Sequence, residues 1–205
     1  LRGNNLAEIS IELKELLHNL IGLEIMEQTT SRIVAKDLLS IENISISNMI
    51  RKITIITESM IEDSKTITNE PRHSLHLYSR DEDVNRLSYL ILRIIKMGFK
   101  SPVVARNLEM DGEQLFQHWE LVENLESVAD EAKRISRSIT KLNIKKLKTT
   151  KFIEIYEEIE SIYKKVIQYY YKGDKDGAFK VSSLKKVIVK KCDSLLVEYN
   201  HPEIV

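Results

Sequence analysis

The stretch LYSRDEDVNRLSYLILRII, residues 77–95, contains the pattern on which the fold prediction depends. Its apolar side chains recur every three or four residues, which places them on one face of an α-helix and the charged side chains on the other. The members of this apolar stripe are Leu77, Val84, Leu87, Ile91 and Ile94. Gly98 and Pro102 follow the stripe and mark the end of the helical pattern. We therefore predict a helix over residues 72–99.

The same helical period occurs elsewhere in the chain. The other helices that it predicts cover residues 45–69, 112–142, 151–172 and 176–199. Residues 100–111 are predicted to form a loop. A chain of 205 residues with only 6 Gly and 3 Pro has the composition expected for long amphipathic helices. Because such helices with short links pack antiparallel, the predicted fold class is all-α, an antiparallel helical bundle.

Two shorter elements precede this predicted bundle. Residues 6–20 have a helical stripe of leucine and isoleucine, whereas residues 22–39, GLEIMEQTTSRIVAKDLL, alternate with a period of two. The alternation predicts a β-hairpin in which residues 22–28 pair with residues 32–38. Because two strands alone are rarely stable, we expect the hairpin to pair with a preceding domain or with a second copy of the chain.

Charge and composition narrow the function classes. The 31 basic and 31 acidic side chains cancel, which gives no reason to expect nucleic acid as the main partner of this segment. Cys192 is the only cysteine, which fits a cytoplasmic location. No apolar run is long enough to predict a membrane span. Because the sequence begins with Leu1 instead of Met, we expect it to be part of a longer protein.

Two pairs of oxygen-bearing side chains lie beside the predicted apolar stripes. Glu126 and Asp130 are four residues apart in one predicted helix, and Asp81 and Asn85 have the same spacing in the helix before it. Residues at this spacing point to the same side of a helix. A carboxylate near a core needs a cation, and a metal ion can satisfy several oxygens together. The four side chains are therefore candidate metal ligands.

The alternative is that these acids are ordinary solvated charges. Arg86, Lys133 and Arg134 are close enough in sequence to form surface ion pairs with them. Such pairs contribute little stability and are common on exposed helix faces. The spacing alone leaves both interpretations open.

The helices also show an internal repeat. The pair of helices that begins at residue 45 resembles the pair that begins at residue 151, and only the first pair is followed by a third helix. We therefore predict two three-helix units, of which the second is incomplete. The predicted divisions are residues 1–40 for the N-terminal helix and hairpin, and 45–205 for the helical domain, with its units at 45–142 and 150–199.

Three stretches resemble known sequences, and they occur in the expected order. The stretch 77–95 resembles the second helix of a PhoU domain, in which an acidic residue and two variable positions precede Val-Asp or Val-Asn and Leu. The stretch LVENLESVADEAKRISRSI, residues 121–139, resembles the third helix of that domain, with its Leu-Glu-x-x-x-Asp core followed by Ala and a run of basic residues and Ile. Residues 22–39 resemble the connecting segment of archaeal proteins in which an AbrB-like DNA-binding domain precedes the PhoU domain. With the repeat, the resemblance to PhoU covers residues 45–199.

This resemblance implies an all-helical regulator of phosphate uptake that is not an enzyme. PhoU proteins act by contacting other proteins, typically the ATPase of the phosphate ABC transporter and, in bacteria, a sensor kinase. Some bind iron, zinc or another metal ion through E(D)xxxD motifs. The corresponding metal positions in this chain would be Asp81, Asn85, Glu126 and Asp130.

The chain departs from the PhoU pattern at two points. Asn85 is a neutral amide where the strict motif has a carboxylate. In the partial second unit, Asp193 matches the second acid of the motif, but Val189 occupies the place of the first, and the sixth helix is lacking. We therefore expect at most one complete metal cluster.

Two other function classes remain open on the sequence. The chain resembles part of a transcriptional regulator, in which this segment dimerises and senses while a missing N-terminal AbrB-like domain binds DNA. A carboxylate-bridged metalloenzyme of the helical-bundle kind, which would use Glu-x-x-His pairs on facing helices, is the least favoured class. The unpaired hairpin leads us to expect a homodimer in each case.

Overall fold

The structure, a computed structural model, describes residues 13, 16–17, 19–29, 32–39, 44–66, 73–141 and 150–199. These residues are mostly helical, with one short antiparallel sheet of two strands. The elements in chain order are β1 (Leu23–Gln28), β2 (Ile33–Asp37), α1 (Ile46–Thr66), α2 (His73–Lys100), α3 (Pro102–Asn107), α4 (Gly112–Lys141), α5 (Thr150–Lys172), α6 (Lys175–Ser182) and α7 (Lys185–Tyr199).

The predicted β-hairpin is confirmed. β1 and β2 pair antiparallel, with Leu23 opposite Asp37 and a shift of register between Ile25 and Glu27. The side chain of Ile33 is buried, and it anchors one face of the hairpin. Most of the predicted helix 6–20 lies outside the described residues.

The base of the hairpin is held at two points. Gly22 has a φ of +82°, and a Cβ at this position would lie 2.5 Å from the Leu39 Cγ, so both the backbone and the space favour glycine. The guanidinium group of Arg93 on α2 donates a hydrogen bond to the Ile21 carbonyl and lies 3.9 Å from the Asp37 carboxylate. The hairpin is therefore attached to α2 by its open end.

Four of the long predicted helices correspond to α1, α2, α4 and α5 to within a few residues at the described ends. The stripe predicted for α2, from Leu77 to Ile94, is buried throughout. The beginning of α4 has a reciprocal cap, in which Asp111 Oδ1 accepts from the Gln114 amide at 2.8 Å and Gln114 Oε1 accepts from the Asp111 amide at 2.9 Å.

Two predictions of secondary structure are wrong. Residues 100–111, predicted as a loop, contain the short helix α3, which begins with Ser101 as its N-cap and Pro102 in its first turn. The single helix predicted over 176–199 is two helices, α6 and α7, separated at Ser183 and Leu184. The break follows a separate start at Asp174, whose side chain caps α6 by accepting from the Gly177 amide.

The chain forms two compact units. Unit 1 comprises Leu1–Ile53 and Glu82–Glu126, and unit 2 comprises Thr54–Asp81 and Ser127–Val205. Buried apolar residues of unit 1 include Ile46, Ile50, Ile53, Val84, Leu87, Ile91, Ile94, Leu115 and Val122. Those of unit 2 include Met60, Ile61, Leu77, Ala129, Ala132, Ile139, Tyr156 and Val181. The division predicted from the internal repeat stays a prediction. In the part of the chain described here, no helix is both long and apolar enough to cross a membrane.

Candidate functional site

The four predicted metal ligands fall into two groups. Asp81 on α2 and Asp130 on α4 belong to unit 2, whereas Asn85 and Glu126 belong to unit 1. Asp81 is buried, and the other three side chains are half-buried. The structure brings Asp81 and Asp130 together, so the candidate site that they form is a feature of unit 2.

Lys133 joins these two acids. It follows Asp130 by one turn of α4, and its Nζ donates hydrogen bonds of 2.6 Å to Asp130 Oδ1 and 2.7 Å to Asp81 Oδ2. The side chains of Asp81 and Lys133 are only 8% and 17% exposed, whereas that of Asp130 is 42% exposed. The lysine therefore makes two charge-assisted hydrogen bonds, one to an inner acid and one to an acid open to water.

The environment gives the two acids different proton affinities. Burial raises the pKa of Asp81, and the hydrogen bond from Lys133 offsets this only in part. The hydrogen bond from Lys133 lowers the pKa of Asp130. Burial acts to lower the pKa of Lys133, but its hydrogen bonds to the two carboxylates together outweigh burial and raise it. On acidification, Asp81 is thus the acid of this cluster that takes up a proton first.

The arrangement does not fit a divalent cation while Lys133 is in place. Its ammonium group is hydrogen-bonded to both carboxylates and occupies the place between them that a metal ion would take. Within the described ranges, no group of three or more His, Cys, Asp or Glu side chains converges closely enough to hold a metal ion. Iron or zinc binding at Asp81, Asn85, Glu126 and Asp130 stays a prediction.

Lys133 pairs with Asp130, as the alternative interpretation expects, whereas Arg134 has another partner. Arg134 pairs with Glu131 through side chains that are both exposed. A pair of this kind contributes on the order of 0–1 kcal/mol to the free energy of unfolding. Lys133 differs from Arg134 because its side chain is directed inward to a buried partner on another helix.

A second charged cluster, which the sequence analysis did not identify, lies elsewhere in unit 2. Glu160 on α5 is buried and accepts hydrogen bonds from Lys65 at 3.1 Å and from Lys164 at 2.7 Å. Lys65 also lies 3.7 Å from Glu157, and Lys164 lies 3.5 Å from Glu58. The hydrogen bond from Lys164, supported by Lys65, lowers the pKa of Glu160. These five side chains and Lys165 line a groove, in which three lysines balance three glutamates.

Tyrosine hydroxyls add polar contacts between α1 and α5. The hydroxyls of Tyr156 and Ser64 share a buried hydrogen bond, and the Tyr163 hydroxyl donates to the Thr54 carbonyl at 3.0 Å. Burial raises the pKa of both tyrosines, which keeps them protonated at neutral pH. These contacts and the cluster around Glu160 attach α5 to α1 through polar groups.

The chemistry of these clusters, as arranged, is ion pairing and hydrogen bonding between helices. Their charged members form ion pairs at short distances. Burial raises the pKa of the Cys192 thiol, which disfavours the reactive thiolate.

No protein-family model, curated protein or solved structure matches the chain. The resemblance to PhoU therefore rests on the motifs in residues 77–95 and 121–139.

Proposed function

We propose that the chain is a PhoU-like regulator of phosphate uptake and homeostasis. In this proposal it is a cytoplasmic, non-enzymatic bundle of two three-helix units, the second of them partial. It acts by contacting the ATPase of a phosphate ABC transporter or another regulatory protein.

One observation supports this proposal most directly. Asp81 and Asp130 come from the two stretches that resemble PhoU helices, and both bind Lys133. A chance resemblance in two separate helices gives no reason for the motif acids to meet in the folded chain. The PhoU pattern leads us to expect that acids of its two motifs lie close together, and two of the four candidate positions do.

Lys133 gives the site a role that needs no metal. It neutralises a buried acid and links α2 to α4 within unit 2. A fixed link between two helices preserves the shape of the surface that a partner protein recognises. Loss of the link is expected to weaken partner binding through the shape of unit 2.

Deletion of the gene in its host organism tests the proposal. We expect uptake of radiolabelled phosphate by phosphate-replete cells to escape its normal control, and the parent gene supplied in trans to restore that control. A gene that encodes Asp81→Asn with Asp130→Asn should restore it poorly, whereas the matched variant Glu131→Gln, at an exposed acid of α4, should restore it fully. Uptake that responds to phosphate normally in the deletion strain would contradict the proposal.

The hairpin favours a second candidate function, transcriptional regulation. β1 and β2 form as predicted in the stretch that resembles the segment after an AbrB-like domain, and Arg93 attaches them to α2. In this candidate, a preceding DNA-binding domain reads DNA while the present segment dimerises and senses. The reading frame upstream of Leu1 should then encode an AbrB-like domain, and a frame without one would exclude this candidate.

A further inference from the structure

Charge is distributed very unevenly along a chain whose net charge is zero. Residues 172–191 contain seven lysines and two aspartates. Residues 107–132 contain eight acidic side chains and neither lysine nor arginine. The basic segment contributes α6 and the first part of α7, whereas the acidic segment contributes the first part of α4. Two regions of opposite sign therefore occur in different elements of the fold.

The basic segment presents its charge to solvent together with apolar side chains. The exposed residues of this surface, which we call the basic face, include Lys175, Phe179, Lys180, Lys186, Val187 and Lys190. Phe179 is 81% exposed, an unusual position for a phenylalanine. Lys191 of α7, which is not part of the basic face, forms an ion pair with Glu158. The four lysines of the basic face are exposed, so a partner can reach them.

The acidic segment forms a stripe along α4. Glu113, Phe116, Glu120 and Glu123 are three or four residues apart, which places them on one side of the helix, and all four are exposed. We call this stripe the acidic face. Phe116 is 53% exposed. Each face therefore combines charge of one sign with an exposed phenylalanine.

We propose that the basic face of one copy of this chain docks on the acidic face of a second copy. The two faces are opposite in charge, and the exposed phenylalanine in each supplies apolar area that association would bury. A chain with zero net charge but separated charges also lacks the overall repulsion that keeps proteins apart. This proposal is independent of the role in phosphate uptake.

A second copy fits the basic face better than an anionic membrane does. The basic face has exposed acids beside it, Asp176 on α6 and Asp193 on α7, which an anionic lipid surface would repel. In contrast, the carboxylates of the acidic face are separate groups, so they can contact the lysines without lying against these two aspartates. The chain itself carries the complementary surface, so no other partner is needed to explain the charge pattern.

Sedimentation velocity over a range of concentrations tests the proposal with charge reversals. We expect the parent to associate, with a dissociation constant that rises about tenfold or more between 50 and 500 mM NaCl as salt screens the faces. Lys186→Glu with Lys190→Glu should weaken association about tenfold, and Glu113→Lys with Glu120→Lys should do the same. A 1:1 mixture of the two variants should associate again, because each then offers the charge that the other has lost.

The control variant has the same net charge as the first reversal. Lys52→Glu with Lys100→Glu changes two exposed lysines of unit 1 outside the basic face, and it should associate like the parent. A parent that stays monomeric at every concentration would overturn the proposal, as would a mixture that does not recover association. The membrane would be the partner instead if the parent bound phosphatidylserine vesicles and the lysine reversals abolished that binding without changing self-association.

Discussion

Replacement of Lys133 by methionine removes the cation that Asp81 and Asp130 share. Met and Lys have similar helix propensity, so the change leaves α4 itself nearly unaffected. In this variant the buried carboxylate of Asp81 loses its main cation. Removal of one partner from a fully buried ion pair lowers the free energy of unfolding by about 3–5 kcal/mol. Because Asp130 is open to water and can be hydrated, we expect a smaller loss, about 2–3 kcal/mol in the free energy of unfolding.

The loss should depend on pH in a defined direction. The folded-state pKa of Asp81 is already raised by burial, and removal of Lys133 raises it further. A raised carboxyl pKa means that the charged form destabilises the folded state, so the cost is full above the folded pKa and fades as the pH falls through it. Urea unfolding followed by circular dichroism at pH 7 and pH 5 should therefore show a smaller difference from the parent at pH 5.

Two companion variants make this test specific. Lys133→Met with Asp81→Asn should recover much of the lost stability, because the buried charge is then absent. Arg134→Met, at the exposed pair on the next residue, should cost less than about 1 kcal/mol. The proposed role of Lys133 would be refuted if Lys133→Met lost no more stability than Arg134→Met and if that loss, relative to the parent, were the same at pH 7 and pH 5.

Further predictions concern the other polar cluster and the hairpin. Glu160→Gln should cost about 1–2 kcal/mol at neutral pH, and because the pKa of Glu160 is lowered in the folded state, the difference from the parent in urea unfolding should shrink as the pH falls from 5 to 3. Tyr156→Phe removes a buried hydrogen bond to a serine and should cost about 1 kcal/mol in the same assay, whereas an unchanged midpoint would show that the bond contributes nothing. Gly22→Ala should cost about 1–2 kcal/mol, because it places a Cβ at positive φ and against Leu39, while Gly112→Ala, which meets no atom within 4 Å, should stay near the parent.

The sequence predicts best those helices and strands that are long enough for the period of their apolar residues to identify them. The stripe from Leu77 to Ile94 and the alternation around Ile25 repeat often enough to identify a helix and a strand. Gly98 and Pro102 indicate the end of a helix, although Ser101 followed by Pro102 is also a good start for one. The short length of α3 leaves no periodic pattern that would separate these interpretations.

The break between α6 and α7 depends on packing that the sequence does not display. The ring of Tyr169 at the end of α5 lies where a Cβ on Gly177 would be, and Val181 is buried. These contacts fix α6 separately from α7. The apolar period of the segment continues across the break, so sequence reasoning predicts one helix.

The acids of the candidate site and a nearby lysine could be predicted from the sequence, but the inward contact of that lysine with Asp81 could not. The spacing of Asp81 and Asp130 relative to the stripes indicates the edge of the core, and the structure places Asp81 in a buried position. A lysine three residues after an aspartate has the same sequence pattern whether it is solvated or directed inward. The contact of Lys133 with Asp81 joins residues 52 positions apart, and the packing of α2 and α4 decides it.

The motif acids of α2 and α4 meet at Lys133. The most direct measurement is an NMR titration of the side-chain carboxyl carbons in the parent protein, with Asp81→Asn and Asp130→Asn used for assignment. We expect the pKa of Asp81 to lie above the ordinary aspartate value of about 3.9 and the pKa of Asp130 to lie below it. Two aspartates that both titrate at the ordinary value would contradict the claim, because neither would then be buried beside or bound to the lysine.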